Sequence, residues 1–384
     1  MSCCHPFELN FMFFSNVTRL LITFSVVLYF CFFSCFKKHF FLPFSFNLSF
    51  RPIIRGSAIF EAALMPDPFH SDRYVDVIRN SWLFGRSRLP RRGKVRDVYD
   101  FDSYLILFHT DRISAFDVVF EDLIPFKGVY LNLLSVYWLK KSKHVFPNHL
   151  VEQIDERIIR VVKADRIDIE WIVRGYLYGS AWRSYSRGVR VISGVKLPNG
   201  LRLAERLPEP ILTPTTKSEH GHDVEISREE AISRGLVSRD EWNVLEEACF
   251  KLYEFYNFEA KKHGIIIPDV KFEFGRYKGD LLQIDEPPTH DSARLWSLRH
   301  YSPGRYQENH CLDKEFLRAY LIRIGFRGDG PPPKLPLPLI EQIALRVKGS
   351  YEVLTGCKSI DDLNLKSLDE LMQEIGEGKS NVHS

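Results

Sequence analysis

The stretch "KFEFGRYKGDLLQIDE", residues 271–286, decides how the rest of the chain is read. Two apolar runs flank a Gly-containing turn, which is the pattern of a β-hairpin. Carboxylates are set into both runs at Glu273, Asp285 and Glu286, and Asp269 lies just upstream. A strand with one buried face usually keeps carboxylates out of its middle, so these need a reason. In "DVKFEFG" (269–275) the two-residue strand period puts Asp269, Lys271 and Glu273 on one face and Phe272 and Phe274 on the other. In "LLQIDE" (281–286) the same period groups Leu281, Gln283 and Asp285, with Ile284 facing the other way. If Glu273 stands opposite Gln283, Asp285 is its diagonal neighbour, with Cα atoms about 7–8 Å apart. Two hard oxygen donors so placed, with no His or Cys cluster nearby, suit magnesium rather than zinc. The alternative reading is a salt-bridged solvent face on which Lys271 neutralises its neighbours.

Working outward, the chain alternates strands and helices. "GKVRDVYDFDSYLILFHTD" (93–111) reads as two strands joined near Asp100–Ser103, and "RIIRVVKADRIDIEWIVRGYL" (157–177) as further strands. "LNLLSVYWLKKSKHV" (131–145) has helical spacing at Leu134, Tyr137 and Trp138. The stretch 228–264 is helical; Ser238 and Glu241 form a capping box for its long second part, and Gly264 ends it. "PPPKLPLP" (331–338) is a rigid connector into an amphipathic helix, 339–356, and the polar tail after about 375 reads as loose. There is no internal repeat.

The bulk numbers agree with a globular protein of ordinary composition. The 384 residues are 45% hydrophobic and 26% charged, and the net charge of +3 is too small to imply nucleic acid. The seven cysteines form neither a disulfide framework nor a zinc pattern, which fits a reducing, cytoplasmic setting. Residues 1–64 differ from the rest. "LLITFSVVLYFCFFSCF" (20–36) is an unbroken apolar run with Arg19 before it and Lys37 and Lys38 after it. It is short for a relaxed membrane span but long enough for a signal anchor, and the scarcity of acids around it also fits an organellar targeting segment. A third reading is an over-extended start, because ordinary composition begins at Met65.

Other charged stretches carry possible chemistry. In "GKVRDVYD" (93–100) a Gly followed by alternating cations can lay backbone amides and Lys94 against phosphates; it is not a Walker loop, and taken alone a plain basic strand is the better reading. In "VRGYLYGSAWRSY" (173–185) Arg174 lies in an apolar strand, and Gly179-Ser180 breaks the chain before a helix, a combination that suits an anion. "TPTTKSEHGHDVEIS" (213–227) brings Lys217, His222 and Asp223 into a loop, where His220 and His222 lack the partners of a metal site. "DSARLW" (291–296) offers Asp291 and Arg294, for phosphate or for a surface ion pair.

Taken in order, "GKVRDVYD", "TDRISAFDVV" (110–119), "IPFKG" (124–128), "VRGYLYGSAW" (173–182), "LPEPILTPTTKSEHGHDVEIS" (207–227), "DVKFEFG", "IDEPPTHDSARLW" (284–296) and "PGRYQ" (303–307) resemble the phosphoribosylaminoimidazole-succinocarboxamide synthase (SAICAR synthetase) family. The resemblance implies an α+β, ATP-grasp-like fold. Residues 65–165 would be a smaller, strand-rich domain covering ATP, 166–357 a larger α/β domain with the active cleft between the two, and 358–384 a tail. It implies an ATP-dependent ligase that joins carboxyaminoimidazole ribonucleotide (CAIR) to L-aspartate through an acyl phosphate. By position, Gly93, Lys94 and Arg96 would meet ATP, and Glu273 and Asp285 would hold Mg²⁺. Lys217 and Lys271 would neutralise phosphoryl charge with Asp269 as a third catalytic group. Arg174, Ser180, Asp291 and Arg294 would contact the nucleotide substrate. Pro268, Val270, Pro287-Pro288 and Tyr306 depart from the family pattern, and Pro268, lacking an N–H, must fall at a strand edge or start.

Overall fold

The structure is a computed structural model that describes residues 89–217 and 224–380. The apolar run 20–36, Met65, His220, His222 and Asp223 lie outside the described residues. Among the described residues no helix is long and apolar enough to cross a membrane.

The first hairpin forms where alternation and a buried run predict it. β1 (Arg91–Arg92), β2 (Arg96–Phe101) and β3 (Tyr104–His109) are antiparallel, and Asp102 takes the left-handed backbone of the β2–β3 turn with φ 57°. β4 (Arg112–Ala115) and β5 (Val118–Leu123) make a separate ribbon. Helix α1 (Lys127–Ser142) follows, then β6 (Leu150–Gln153) and β7 (Ile158–Val162), which complete a five-stranded sheet in the order β1-β2-β3-β7-β6. Val136 of α1 packs with Leu107, Ile159 and Val161 of this sheet, while Leu134 and Trp138 enter the larger core. One broad apolar helix face thus serves two sheets.

The larger part contains β8 (Asp165–Arg166), β9 (Ile169–Tyr176), α2 (Gly179–Ser186), β10 (Val191–Ile192), β11 (Val195–Lys196), β12 (Arg206–Leu212) and β13 (Thr215–Thr216). After them come α3 (Arg228–Ser233), α4 (Arg239–Lys261), β14 (Ile265–Ile266), β15 (Asp269–Tyr277), β16 (Asp280–Ile284) and β17 (Trp296–Ser297). The chain then forms α5 (Glu315–Arg323), α6 (Leu337–Leu354) and α7 (Leu368–Ser380). The last of these runs through the segment expected to be loose. The main sheet has the order β12-β9-β15-β16, all antiparallel, with β13 added to β9 and β8 to β15. Pro268 immediately precedes β15, so its missing N–H costs no ladder bond.

The capping box at Ser238 and Glu241 starts α4 as expected. This helix lies across the sheet, and Trp242, Leu245, Cys249, Leu252 and Tyr256 pack on Ile169, Trp171, Val173, Val270, Phe272 and Phe274. Trp171 and Trp242 rings meet at 4.7 Å. At about 25 cal/mol per Å² and ~150–250 Å² per ring, each buried aromatic contributes roughly 4–6 kcal/mol of gross burial. That fixes which face of β9 and β15 points inward, because slipping one residue would expose the whole set. The opposite face carries Glu170, Arg174, Asp269, Lys271 and Glu273.

The hairpin register differs from expectation by one residue. Glu273 pairs with Ile284, and Phe274 with Gln283. Gln283 therefore turns into the core, where the Tyr256 hydroxyl bonds its Oε1 at 3.3 Å. A core-facing amide needs a buried partner, and Tyr256 supplies one; sequence alternation carries no sign of it.

Candidate active site

Along one face of β15 the side chains of Asp269, Lys271 and Glu273 follow one another at the two-residue spacing of about 7 Å. At the Glu273 end, Lys217 Nζ lies 2.5 Å from both carboxylate oxygens. Lys271 Nζ bridges Glu273 and Glu170 at 2.8 Å each. Burial and the neighbouring Asp285 push the Glu273 carboxyl up, against the pull of the two lysines.

Asp285 reaches this cluster by leaving the strand. β16 ends at Ile284, and Asp285 has φ 62°, the left-handed region that non-glycine residues seldom occupy. Without that turn, alternation would send its side chain the same way as Gln283, into the core. Its carboxylate instead bonds the Arg96 guanidinium. Burial raises the Asp285 carboxyl, but Arg96, Lys271 and Lys217 outweigh it and hold the group well below the usual carboxylate range. Arg96 Nε also lies 3.3 Å from Glu286, which is buried. The rings of His109 and His149 are buried close by, and burial pushes them down to about 3 and about 4, so both are neutral.

The Gly93 turn sits above this end. Gly93 N–H donates to the Arg96 carbonyl at 2.7 Å, and a Cβ on Gly93 would lie 2.8 Å from that oxygen, so the turn needs glycine. Arg112, itself paired with buried Asp97 at 2.5 Å, donates to the Gly93 carbonyl at 3.1 Å and the Lys94 carbonyl at 3.3 Å. Lys94 points to solvent and pairs with exposed Asp117 at 2.5 Å.

The other end of β15 is cationic. Arg294 holds both oxygens of Asp269, at 2.9 and 2.8 Å, and lies 3.4 Å from Glu315. Burial lowers its affinity for a proton, but Asp269 and Glu315 raise it above its ordinary value. Arg174, opposite Asp269 in the ladder, donates to Thr213 Oγ1 at 2.8 Å and Ser180 Oγ at 3.1 Å. Ser180 and Gly179 open α2, whose N-terminus has no side-chain cap. A turn further on, Arg183 makes no ion pair among the described residues; burial and Arg294 both push it down.

Asp291 stands apart from this end. Lys127 Nζ lies 2.6 Å and Lys314 Nζ 3.4 Å from its carboxylate. Burial opposes ionisation there, but the two lysines hold the carboxyl well below its usual range. Lys127 is fully buried at the first turn of α1, whose N-terminus is capped from afar: Asp111 accepts from Gly128 N–H at 2.8 Å and Phe126 N–H at 3.2 Å while Arg157 holds it at 2.5 and 3.1 Å.

The structure thus brings Arg96, Lys217, Lys271, Glu273 and Asp285 together, and Arg174, Ser180, Asp269 and Arg294 together. Sequence reasoning did not single out Glu170, Lys127, Lys314 or Arg183. The available signal was charge within a run that must be buried, as at Glu170 in "DIEWIVRGY" and Lys127 in "IPFKG".

Magnesium fits the Glu273 end by donor chemistry. Glu273 and Asp285 offer hard oxygens, and among the described residues no group of three His, Cys, Asp or Glu side chains could hold a metal alone. Magnesium is commonly held by one or two carboxylates together with substrate phosphates, so a pair suffices.

The SAICAR synthetase family profile matches residues 89–330. The phosphoribosylaminoimidazole-succinocarboxamide synthase of Thermodesulfovibrio yellowstonii is 41% identical over 283 residues, 70% of this chain and 95% of that one. The enzyme of the same name from Bacteroides thetaiotaomicron is 41% identical over 297 residues, 74% of this chain and 93% of that one. A SAICAR-synthase from Saccharomyces cerevisiae, solved complexed with SAICAR, has TM-score 0.62 and 36% identity, covering 69% of this chain and 94% of its own. A SAICAR synthetase in complex with ADP has TM-score 0.50 and 28% identity, covering 64% and 100%. An ordered set of motifs, a mixed sheet-and-helix fold and this degree of identity lead to one conclusion: the chain belongs to the SAICAR synthetase family.

Proposed function

We propose that this chain is an ATP-dependent ligase of purine biosynthesis that joins the carboxylate of CAIR to the amine of L-aspartate, yielding SAICAR, ADP and phosphate. The observation that carries the reading is the polar face of β15, with Arg174 and Arg294 around Asp269 at one end and paired carboxylates among lysines at the other. Membership of the family supports the reaction class. Residues 65–165 would cover ATP and 166–357 would hold the substrates.

The chemistry accounts for the residue types. A carboxylate does not acylate an amine, because oxide is a poor leaving group. Attack of the CAIR carboxylate on the γ-phosphorus breaks the bond to the β–γ bridging oxygen and gives an acyl phosphate and ADP. The aspartate nitrogen then adds to the acyl carbon, phosphate leaves with its oxygen, and the nitrogen loses a proton. The protein's part is positioning and charge.

The Gly93 turn, Lys94 and Arg96 are inferred to face the ATP phosphates. Lys217 and Lys271 would offset charge on the transferring group. Glu273 and Asp285 would hold magnesium, which would supply positive charge against that of the phosphates. Arg174, Ser180 and Arg294 would take the nucleotide's phosphate. Asp269 would hold Arg294 in place, and Asp291 would hold Lys127 and Lys314.

The test is product formation by the full chain with ATP, CAIR, aspartate or magnesium omitted in turn. SAICAR detected by mass spectrometry only when all are present supports the reading. ATP turnover indifferent to both CAIR and aspartate would point to another phosphotransferase and overturn it.

A further inference from the structure

Arg294 is held on two sides by carboxylates, Asp269 at 2.9 and 2.8 Å and Glu315 at 3.4 Å. Its guanidinium lies 5.1 Å from the centre of the Tyr178 ring, and Gly179 is the neighbour that leaves it room. The aim of this cation therefore depends on how Glu315 and the backbone beside Arg294 are set. Asp313 fixes both. Trp296 pairs with Cys311 in a short antiparallel bridge, and Leu312 N–H donates to the Leu295 carbonyl at 2.8 Å. The Leu295 N–H is then met by a side chain: it donates to Asp313 Oδ2 at 2.7 Å. The other oxygen, Oδ1, accepts at 2.7 Å from the N–H of Glu315, the first residue of α5. One carboxylate, 1% exposed, thus fastens the residue after Arg294 to the residue that pairs with Arg294. Burial and Glu315 push the Asp313 carboxyl up to about 7, while the two N–H groups and Arg294 favour its ionised form. A surface Ser or Thr would serve a helix start as well, so an acid buried there needs a further reason.

We propose that Asp313 is a positioning residue for Arg294: by holding the Leu295 and Glu315 N–H groups with its two oxygens, it sets the geometry in which Arg294 meets the nucleotide's phosphate. The proposal rests on the reading of Arg294 as a contact of that phosphate. Asp313 touches no substrate in this scheme. It acts through the main chain beside Arg294 and through the carboxylate of Glu315, which Arg318 also holds at 3.3 Å.

The experiment titrates the full chain with SAICAR by isothermal titration calorimetry, with ADP in the presence of magnesium as the second ligand and melting temperature as the fold control. Asp313→Asn keeps the shape but leaves one acceptor oxygen for two donors. It is expected to weaken SAICAR binding about tenfold, the scale of one lost hydrogen bond, and ADP binding by less than about twofold. Asp313→Ser, whose hydroxyl can reach the N–H two residues on but is too short for Leu295, is expected to weaken SAICAR to a similar degree. It keeps the test decisive if Asp313→Asn does not fold. The deciding measurement is the cycle with Arg294→Ala. Once Arg294 is gone, the Asp313 substitution is expected to cost no more than about twofold further in SAICAR affinity. The same loss with and without Arg294 would overturn the proposal, as would equal losses for SAICAR and ADP. Arg294→Ala separates the two levels. If it leaves SAICAR affinity intact, the phosphate reading falls and this proposal with it. If it weakens SAICAR while neither Asp313 variant does, only the role of Asp313 falls.

Discussion

Asp285→Asn exchanges one carboxylate oxygen for an amide nitrogen with almost no change of shape, so it isolates charge. Four carboxylates (Glu170, Glu273, Asp285 and Glu286) share three cations (Arg96, Lys217 and Lys271), which leaves one negative charge in excess before any ligand binds. The substitution removes that excess. Two unit charges about 4 Å apart interact by roughly 4 kcal/mol at an effective dielectric of about 20. A deficit of about 4 kcal/mol in the transition state is roughly a thousandfold in rate. One effect opposes this: Asp285 is part of what pushes Glu273 up, so its neutralisation lets Glu273 ionise more readily. Excess magnesium is therefore expected to restore part of the rate. Glu273→Gln acts on the same pair, and the double variant is expected to be little worse than either single one. Packing survives, because Arg96 keeps Glu286 at 3.3 Å. The assay is steady-state rate against magnesium concentration for all three variants, with melting temperature as the fold control. A near-normal rate with unchanged magnesium dependence in Asp285→Asn would refute the metal-site reading and return the hairpin to a charged face with a structural role.

Three further outcomes follow from the geometry. Arg294→Ala removes a charge-assisted contact worth about 1.5–3 kcal/mol and is expected to raise KM for the nucleotide about 10- to 150-fold with far less effect on KM for ATP; equal effects on both would make Arg294 a structural residue. Gly179→Ala is expected to raise the same KM, because Gly179 has φ 58° and an added Cβ would lie 2.4 Å from the Arg294 guanidinium; unchanged nucleotide affinity would show that Arg294 need not stay where Asp269 holds it. Glu241 accepts from Arg276 Nε at 2.5 Å and from Ser238 N–H at 2.8 Å, and its carboxyl is lowered to about 2, chiefly by the Arg276 bond. Its folded value lies below the unfolded one of about 4.3, so its contribution is complete above pH ~4.5 and lost as pH falls towards 2. Glu241→Ala is expected to cost about 1–2 kcal/mol near neutrality, discounted for partial exposure, with the two proteins converging in denaturant midpoint at the acid end.

Much of the fold was legible because it rests on local rules. The β2–β3 hairpin follows from alternation, and the start of α4 from a capping box that needs only residues three apart. What escaped depends on distant partners. The start of α1 has no local cap, since its N–H groups are met by Asp111, about fifteen residues earlier in the chain and held by Arg157. α7 lies in a polar tail with two glycines, Gly376 and Gly378, which lower its intrinsic helix propensity. It is held by Leu368 and Leu371, which pack with residues of α5 and α6. Propensity alone cannot register that burial, because it is supplied by elements elsewhere in the chain.

The site was legible as residue types, and its geometry was reached by a different route from the one expected. The expected register put Glu273 opposite Gln283 and kept Asp285 in the strand. In the structure the register is one residue away, and Asp285 is not in the strand at all. The two differences compensate. The shift sets Ile284 opposite Glu273 and sends Gln283 into the core, and the left-handed turn at Asp285 then brings the next carboxylate back to the Glu273 side. Burial decides the first step, because Phe272 and Phe274 pack in the core and Gln283 meets the Tyr256 hydroxyl there. Nothing in hydrophobic burial requires the second. A right-handed or extended Asp285 would avoid the cost of the left-handed backbone, and an ordinary strand end would pack as well. Local preference is overridden there, where a carboxylate must stand beside another carboxylate and among cations. A strand that ends in a left-handed turn at one half-buried acid, where burial asks for no such turn, marks that acid as serving something other than the fold.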